Sequence, residues 1–571
     1  LAAILLLALI FNGCSKTTPT TGETNEETAA KATTEEVTEE STAQPEEVAD
    51  PTEVKFDPPI TISIVRSVTT VETVKFDDVN LSYDENVWIN MIHDKYGIDV
   101  EYLWYADASQ YDTKFNLMMS SGTFPDIFQV TSVKDLRLLV ENDQLADLTG
   151  AYAACADDSA VKYYSSEVQD IYFDIASQDG KLYGIPHMPT GPGGCQMIIL
   201  RKDWLDALEM DEPETMADFV EVAKAFATQD PDGNGEDDTV GMYVPADPLF
   251  GESMQAFYNG YHVYPGIYAE GEDGMLSAGA QMAGMKDALS SLQDMYATGA
   301  ISKEYATMDD NRVKELIANG KLGIWFGTFI SPLLYLQGCM HNDETADWKV
   351  YPVLSNDGDK AYSQAPGGVA GWFVASKDCE HPEAVLTLMD ASLWHPSKSD
   401  REAFQEWYDT YSETPNGDQV AHFSPLQVGV DFMDSEGVLL QLKQYQAYFR
   451  GEMTMDEINP DIVNIVENGE KYKAGDISNW WWDMVFRPGG TMQTLKEYND
   501  TDMIMYNQFA GYLQDTTAQS LSIAKDILVQ VVTKILMGED VSAYDAALEQ
   551  WEAAGGAAAV AEVNEWYSQF K

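Results

Sequence analysis

Oxygen-bearing side chains recur at alternate positions in residues 230–239 (DPDGNGEDDT): Asp230, Asp232, Asn234 and Asp238. Gly233 and Gly235 let the loop turn tightly, and Glu236 can add its backbone carbonyl. A hard cation that takes about six to eight oxygen ligands needs this arrangement, so the expected chemistry is structural calcium binding. The bidentate Glu that would stand twelfth in a helix–loop–helix calcium hand is missing, and Gly241 stands there. A strand-like run at 240–244 follows, not a helix, so the loop is not such a hand. The bland reading is a solvated turn, because P-D-G-N-G is turn chemistry in its own right.

A second set of residues is aromatic. Sugar rings present C–H faces that pack on aromatic planes, and their hydroxyls need planar polar partners. Trp325 and Phe329 lie in a Gly-flanked segment, and Trp372 follows 367–371 (GGVAG). Trp480, Trp481 and Trp482 are consecutive, with Asp483 next. Three adjacent indoles cannot all enter one core from a helix or strand, so at least one is expected at the surface or in a cleft. Trp104 and Tyr105 end one strand and Gln129 ends another, where ligands of parallel sheets sit. For any one aromatic, simple core packing is an equal reading. Catalytic patterns are missing: there is no HExxH, GxSxG or GxxxxGK[ST]. The seven histidines are scattered, and 95 acidic residues guarantee accidental pairs, so no glycosidase carboxylate pair is singled out.

The elements that position these groups follow from periodicity. Residues 60–65 (ITISIV) alternate as a strand. Over 85–96, Trp88, Ile92 and Tyr96 share a helical face, and Gly97 is placed to stop the helix. Residues 98–105 alternate again. Tyr111, Phe115 and Met118 share the face of a helix over 110–121, ended by Gly122, and 126–130 (DIFQV) is the third strand. This βαβαβ order predicts an α/β fold with a parallel sheet under helices. A second unit begins near Tyr183, where a Pro/Gly cluster at 189–194 separates two strand-like runs. Thr215 and Asp218 form a capping-box pattern before a helix at 216–228. Further strands are expected at 322–326, 348–353 and 371–375, and the last 130 residues read as mainly helical.

The chain opens on an apolar run, 1–11 (LAAILLLALIF), too short for a spanning helix of roughly 20 residues. Asn12, Gly13 and Cys14 follow, and the cysteine resembles a bacterial lipoprotein processing site, which implies lipidation of Cys14 after signal-peptide cleavage. Residues 15–55 carry eleven acidic and three basic residues with no apolar periodicity. They are expected to form a disordered acidic tether spanning roughly 35 Å root-mean-square. The remainder is too long for one core and should form at least two domains. A net charge of −62 repels nucleic acid and anionic lipid, and disfavours a strongly anionic substrate unless basic residues cluster locally. Cys155, Cys195, Cys339 and Cys379 show no metal-ligand spacing, and their disulfide state is left open.

The chain resembles the large extracellular solute-binding proteins of ABC importers, in the oligosaccharide-binding branch. The resemblance rests on segments spread over 60–571: 114–126 (KFNLMMSSGTFPD), 181–186 (KLYGIP), 201–205 (RKDWL), 319–329 (NGKLGIWFGTF) and 348–353. It continues through 374–390, 533–545 and 551–570. It implies two α/β lobes, each a mainly parallel sheet flanked by helices, joined by a hinge of three crossings that closes over ligand. The lobes are expected at 56–190 with 373–440, and at 191–372 with 441–571. Phe329 occupies the position where the family stacks an aromatic on sugar. The family's calcium loop carries an acidic residue where Thr239 stands. The implied function is a monomeric, lipid-anchored receptor on the extracellular face of the cytoplasmic membrane. It captures an oligosaccharide, delivers it to ABC permease subunits and catalyses nothing. The long acidic tether points to a Gram-positive source. The alternatives are a secreted glycoside-active enzyme, a receptor for peptide or polyol, and a surface adhesin.

Overall fold

The computed structural model describes residues 49–569, except 69–81, 166–167, 169, 190–191, 272, 366, 398–399, 413–419 and 429–434. The expected lipidation site Cys14 and tether residues 15–48 lie outside the described residues. Residues 49–55, grouped with the tether on composition, are instead packed in place. Asp50 Oδ2 accepts from the Ala156 N–H at 2.7 Å, and Thr387 Oγ1 donates to the Pro51 carbonyl at 2.7 Å. These ties are polar and join residues far apart in the chain, so apolar periodicity could not show them.

The strands that frame the molecule are, in chain order, β1 (Ile60–Val68), β2 (Ile98–Asp107), β3 (Ile127–Val130), β4 (Ile185–Pro189), β5 (Met197–Arg201), β6 (Val240–Met242), β7 (Leu322–Gly327), β8 (Trp348–Tyr351) and β9 (Val369–Ala375). They form two separate sheets, ordered β2-β1-β3-β9-β4 and β8-β5-β7-β6. In the first, β1 pairs parallel with both β2 and β3, as the βαβαβ reading requires. The helix Val87–Tyr96 between β1 and β2 starts at Asn86, whose side chain accepts from the Trp88 and Ile89 N–H groups. It stops at Gly97, which adopts φ 67° and where a Cβ would lie 2.2 Å from the Phe56 carbonyl. The expected inward residues Trp88, Ile92 and Tyr96 are buried.

Both sheets are mixed, and not mainly parallel as expected. Strand β9 runs antiparallel to β3 and β4, and β5 runs antiparallel to β7 and β8. Only β7 with β6 is parallel in the second sheet. The reason lies in the connections. A strand reached through a covering helix on the same sheet runs parallel to its predecessor. Strands β5 and β9 instead follow passages from one sheet to the other and enter from the opposite end.

Two apolar cores match the two sheets. Ile64, Ile127, Val374 and Leu388 belong to the first, with Leu426 and Val428. Leu200, Phe219 and Phe326 belong to the second, which also takes Leu442, Tyr498 and Leu528 from the helical C-terminal region. The helix Met216–Thr228 of the second lobe begins with the expected capping box between Thr215 and Asp218. No helix among the described residues is long and apolar enough to cross a membrane.

Candidate functional site

The carboxyl ends of β2 and β3 carry the first group of candidate residues. Trp104 is half-buried, its ring 5.5 Å from Tyr111 and beneath the Lys114 ammonium at 5.4 Å. Tyr105 is 39 % exposed and leans on Tyr83 and Tyr102. Gln129, also half-buried, contacts His187 through its Nε2 at 2.8 Å and donates to the Ala370 carbonyl at 3.4 Å. His187 is buried and stacks on Phe373 at 4.1 Å. Burial pushes the imidazole down to about 3, so it is neutral at physiological pH. Trp372 does not belong to this group. It lies in the first core and donates its indole N–H to the Tyr172 carbonyl at 2.9 Å. The preceding Gly371 brings β9 so close to β3 that a Cβ there would lie 2.5 Å from the Val130 carbonyl. The tryptophan is therefore carried inward on a tightly paired strand.

The second group gathers where β7 leaves the second sheet. Trp325 is buried, with Tyr335 at 4.3 Å and Tyr243 at 5.8 Å between ring centroids. Its indole nitrogen has no partner among the described residues. Burial, with Asp310 beside it, pushes the Tyr335 hydroxyl up to about 12, which keeps it neutral. Leu333 and Leu334 on the same turn are exposed, so an apolar rim borders these rings. The three consecutive tryptophans divide as their spacing requires. Trp480 is buried in the same small core as Trp325, whereas Trp481 and Trp482 are half-buried and stacked on each other at 3.8 Å. Gln337 accepts from the Trp481 N–H at 3.1 Å and donates to the Ile477 carbonyl at 2.8 Å, which fixes the start of this helix against the turn after β7. Phe329 is half-buried, and its carbonyl accepts from Thr491 Oγ1 at 2.7 Å.

The acidic loop is closed by a lysine. Lys321 Nζ lies 2.8 Å from Asp232 Oδ2 and 2.7 Å from Asp238 Oδ2. Asn234 turns its amide nitrogen toward the same two carboxylates, at 2.9 and 3.2 Å, and its oxygen outward to the Glu236 N–H at 2.6 Å. Asp230 accepts from the N–H groups of Asn234 and Gly235 at 3.0 Å each. Thr239 points inward and donates to the Phe226 carbonyl at 2.7 Å. The expected ligands Asp230, Asp232, Asn234, Glu236 and Asp238 thus do not form an oxygen cage, and no metal-ligating group of three or more His, Cys, Asp or Glu is found among the described residues. Two carboxylates do converge on one cationic point, but an ammonium and an amide occupy it.

Sequence reading overlooked Tyr243, Tyr335, Gln337 and His187. The two tyrosines carried no distinguishing spacing. Only the strand pairing of β4 with β9 brings His187 to Gln129. Cys155, Cys195, Cys339 and Cys379 are free and buried.

Residues 86–393 match the model of a family described as bacterial extracellular solute-binding protein. Lipoprotein LipO of Bacillus subtilis is 25% identical over 492 residues, covering 83% of this chain and 87% of its own. The polygalacturonan/rhamnogalacturonan-binding protein YtcQ of Bacillus subtilis is 24% identical over 478 residues, covering 83% and 86%. Among solved structures, the HMO-binding, ABC-transporter-associated solute-binding protein of Bifidobacterium longum infantis superposes with a TM-score of 0.58 at 16% identity, over 90% of this chain and 99% of that one. The Streptococcus pneumoniae substrate-binding protein FusA in complex with kestose gives 0.55 at 16% identity, with the same coverage. An EF-hand mutant of FusA gives 0.54. The shared fold is two-lobed.

Proposed function

This chain belongs to the bacterial extracellular solute-binding proteins, and we propose that it captures an oligosaccharide between its two lobes and delivers it to the membrane subunits of an ABC importer. The observation that carries the reading is the half-buried, mutually stacked pair Trp481 and Trp482 beside the Tyr335 turn, with Trp104, Tyr105 and Gln129 at strand ends of the other lobe. Half-buried indoles with an open face suit sugar rings, and a planar amide suits hydroxyls. Relatives named for polygalacturonan, kestose and HMO binding support the same ligand class. In this reading Phe329 stacks on sugar as well, whereas Trp325, Trp372 and Trp480 support the walls.

Ligand that touches both lobes favours the closed state over the open one by its differential affinity. The chain passes between the sheets from β4 to β5, from β8 to β9 and between Val428 and Leu442, and these passages act as the hinge. Because Trp372 lies on β9 in the first core, the second crossing precedes Val369 and does not fall at the expected 372. The protein performs no covalent chemistry on its ligand and acts as a monomer. It is held at the extracellular face of the membrane by lipid on Cys14, and the name of LipO agrees with that anchoring. A calcium ion belongs to this reading only if Lys321 withdraws and Asn234 turns its oxygen inward.

A thermal-shift screen against a glycan panel tests the reading, followed by product analysis of every hit. Stabilisation without products is expected. Turnover of a hit, or no response to any oligosaccharide, overturns it.

A further inference from the structure

We propose that His187 locks the side-chain amide of Gln129 so that Gln129 Oε1 is presented as a fixed acceptor for a ligand hydroxyl, making this subsite one for an uncharged sugar unit and not for a carboxylate. The inference rests on the oligosaccharide reading above and names the ligand class at one point of it.

Gln129 and His187 reach the same face of the first sheet from opposite sides of β9. Gln129 is paired with Phe373, and His187 with Gly371. Side chains two apart on a strand share a face, and Gly371 has none to stand between them. The Ala370 carbonyl can only accept, so the atom of Gln129 that lies 3.4 Å from it is the nitrogen. The second proton of that nitrogen then goes to His187 Nε2 at 2.8 Å, which must be unprotonated, with the ring proton on Nδ1. Both amide protons are spent. Gln129 Oε1 accepts from no described residue, and the side chain is partly exposed at the carboxyl end of β3. A flipped amide would set Oε1 against the Ala370 carbonyl, a second acceptor, and would leave the amide protons without that partner.

The imidazole is held equally firmly. His187 is 1 % exposed and stacked on Phe373 at 19° between ring planes. Its Nδ1 has no partner among the described residues. A side chain needed only for packing would avoid that unpaired donor by being leucine or phenylalanine. Burial holds the ring neutral, which preserves Nε2 as an acceptor. A ligand carboxylate meeting Oε1 would face another proton-free oxygen, whereas a hydroxyl can donate to it.

The test is calorimetric titration of the full chain with kestose, maltotriose and xylotriose as neutral probes and with trigalacturonate as the anionic one. The wild type should bind a neutral probe more tightly than trigalacturonate. Gln129→Leu should weaken the neutral probe about tenfold, the worth of one well-placed hydrogen bond. His187→Leu should weaken it about threefold by freeing the amide, and His187→Gln, which keeps an acceptor at the same reach, should restore it. In the Gln129→Leu background, His187→Leu should add nothing, because it acts only through that amide. Preference for trigalacturonate overturns the inference and leaves the receptor reading standing. So do additive losses in the double variant, or equal losses in His187→Leu and His187→Gln. A wild type that binds none of the four sugars and responds to no oligosaccharide of the glycan panel overturns both. Melting temperatures of the variants report folding separately.

Discussion

Lys134 Nζ lies 2.5 Å from Asp515 Oδ1. The lysine begins the helix Val133–Glu141 just past β3 in the first lobe, and the aspartate begins the helix Asp515–Leu536, whose Leu528 and Val532 enter the second core. The pair therefore ties one lobe to the other, at the strand end where ligand is proposed to sit. Asp515 is also at its helix N-terminus, where negative charge is favoured.

This latch is solvent-exposed, so its contribution is small and sensitive to salt. Lys134→Met should lower affinity for a bound oligosaccharide by no more than about fivefold at low ionic strength. At high salt the variant and the wild type should converge. Small-angle scattering of the ligand-free protein should show a larger radius of gyration for the variant at low salt only. A salt-independent difference, or none at low salt, would show that the contact does not bias closure.

The aromatic residues separate into two kinds by burial, and mutation should separate them in the same way. Trp372 and Trp480 are each 2 % exposed, and replacement by alanine should cost about 3–5 kcal/mol of stability. Trp481 and Trp482 are half-buried at the margins of the cores, so Trp481→Ala and Trp482→Ala should lower the melting temperature less than replacement of Trp372 or Trp480. Each should weaken sugar binding by about tenfold through lost stacking. Denaturant melts paired with calorimetry read both quantities, and a Trp481→Ala protein with intact affinity would remove the stacked pair from the binding site.

These contrasts mark how far the sequence could be read. Helices with a strong apolar face and a stop glycine, such as Val87–Tyr96 with Gly97, were legible, because local chemistry and core packing agree there. Strand positions were legible too. Strand direction was not, because β5 and β9 arrive by passages between lobes whose geometry no periodicity encodes. The triple tryptophan told that one ring must leave the core, but not which. Trp372 and Trp325 looked like ligand contacts because glycines flank them. In the structure the spacing at Gly371 instead lets β9 approach β3. The acidic loop shows the same limit: its oxygens alternate as a cation site requires, yet Lys321, 83 residues beyond Asp238, reaches its centre.

Removing that lysine should expose the loop's cation chemistry. In the wild type, Asp232 and Asp238 already share the Lys321 ammonium, and the lysine side chain holds Asp238 below the usual carboxylate range. Lys321→Met leaves the two carboxylates facing each other without a counter-charge. The variant should melt lower than the wild type in chelator and be raised more than the wild type by millimolar calcium. Equal calcium shifts in the two proteins would mean that Lys321 does not compete for the site.

His187 makes a prediction about acid stability. Burial sets its folded value at about 3, against about 6.5 for an exposed histidine in the unfolded chain. The folded state holds the neutral ring, so its contribution is complete above about pH 6.5. As the pH falls through that value the unfolded chain takes up a proton that the folded chain refuses. Stability is then lost at up to about 1.4 kcal/mol per pH unit until the folded ring protonates near pH 3. His187→Phe keeps a ring against Phe373 and removes the titration. Urea unfolding at pH 7.5 and pH 5.5 should show the wild type losing about 1 kcal/mol more than the variant over that interval. His422, also held low by burial and by Arg66, is common to both proteins and cancels in the comparison. Equal losses would place His187 in contact with water and free its ring to ionise, and the fixed orientation of the Gln129 amide would no longer hold.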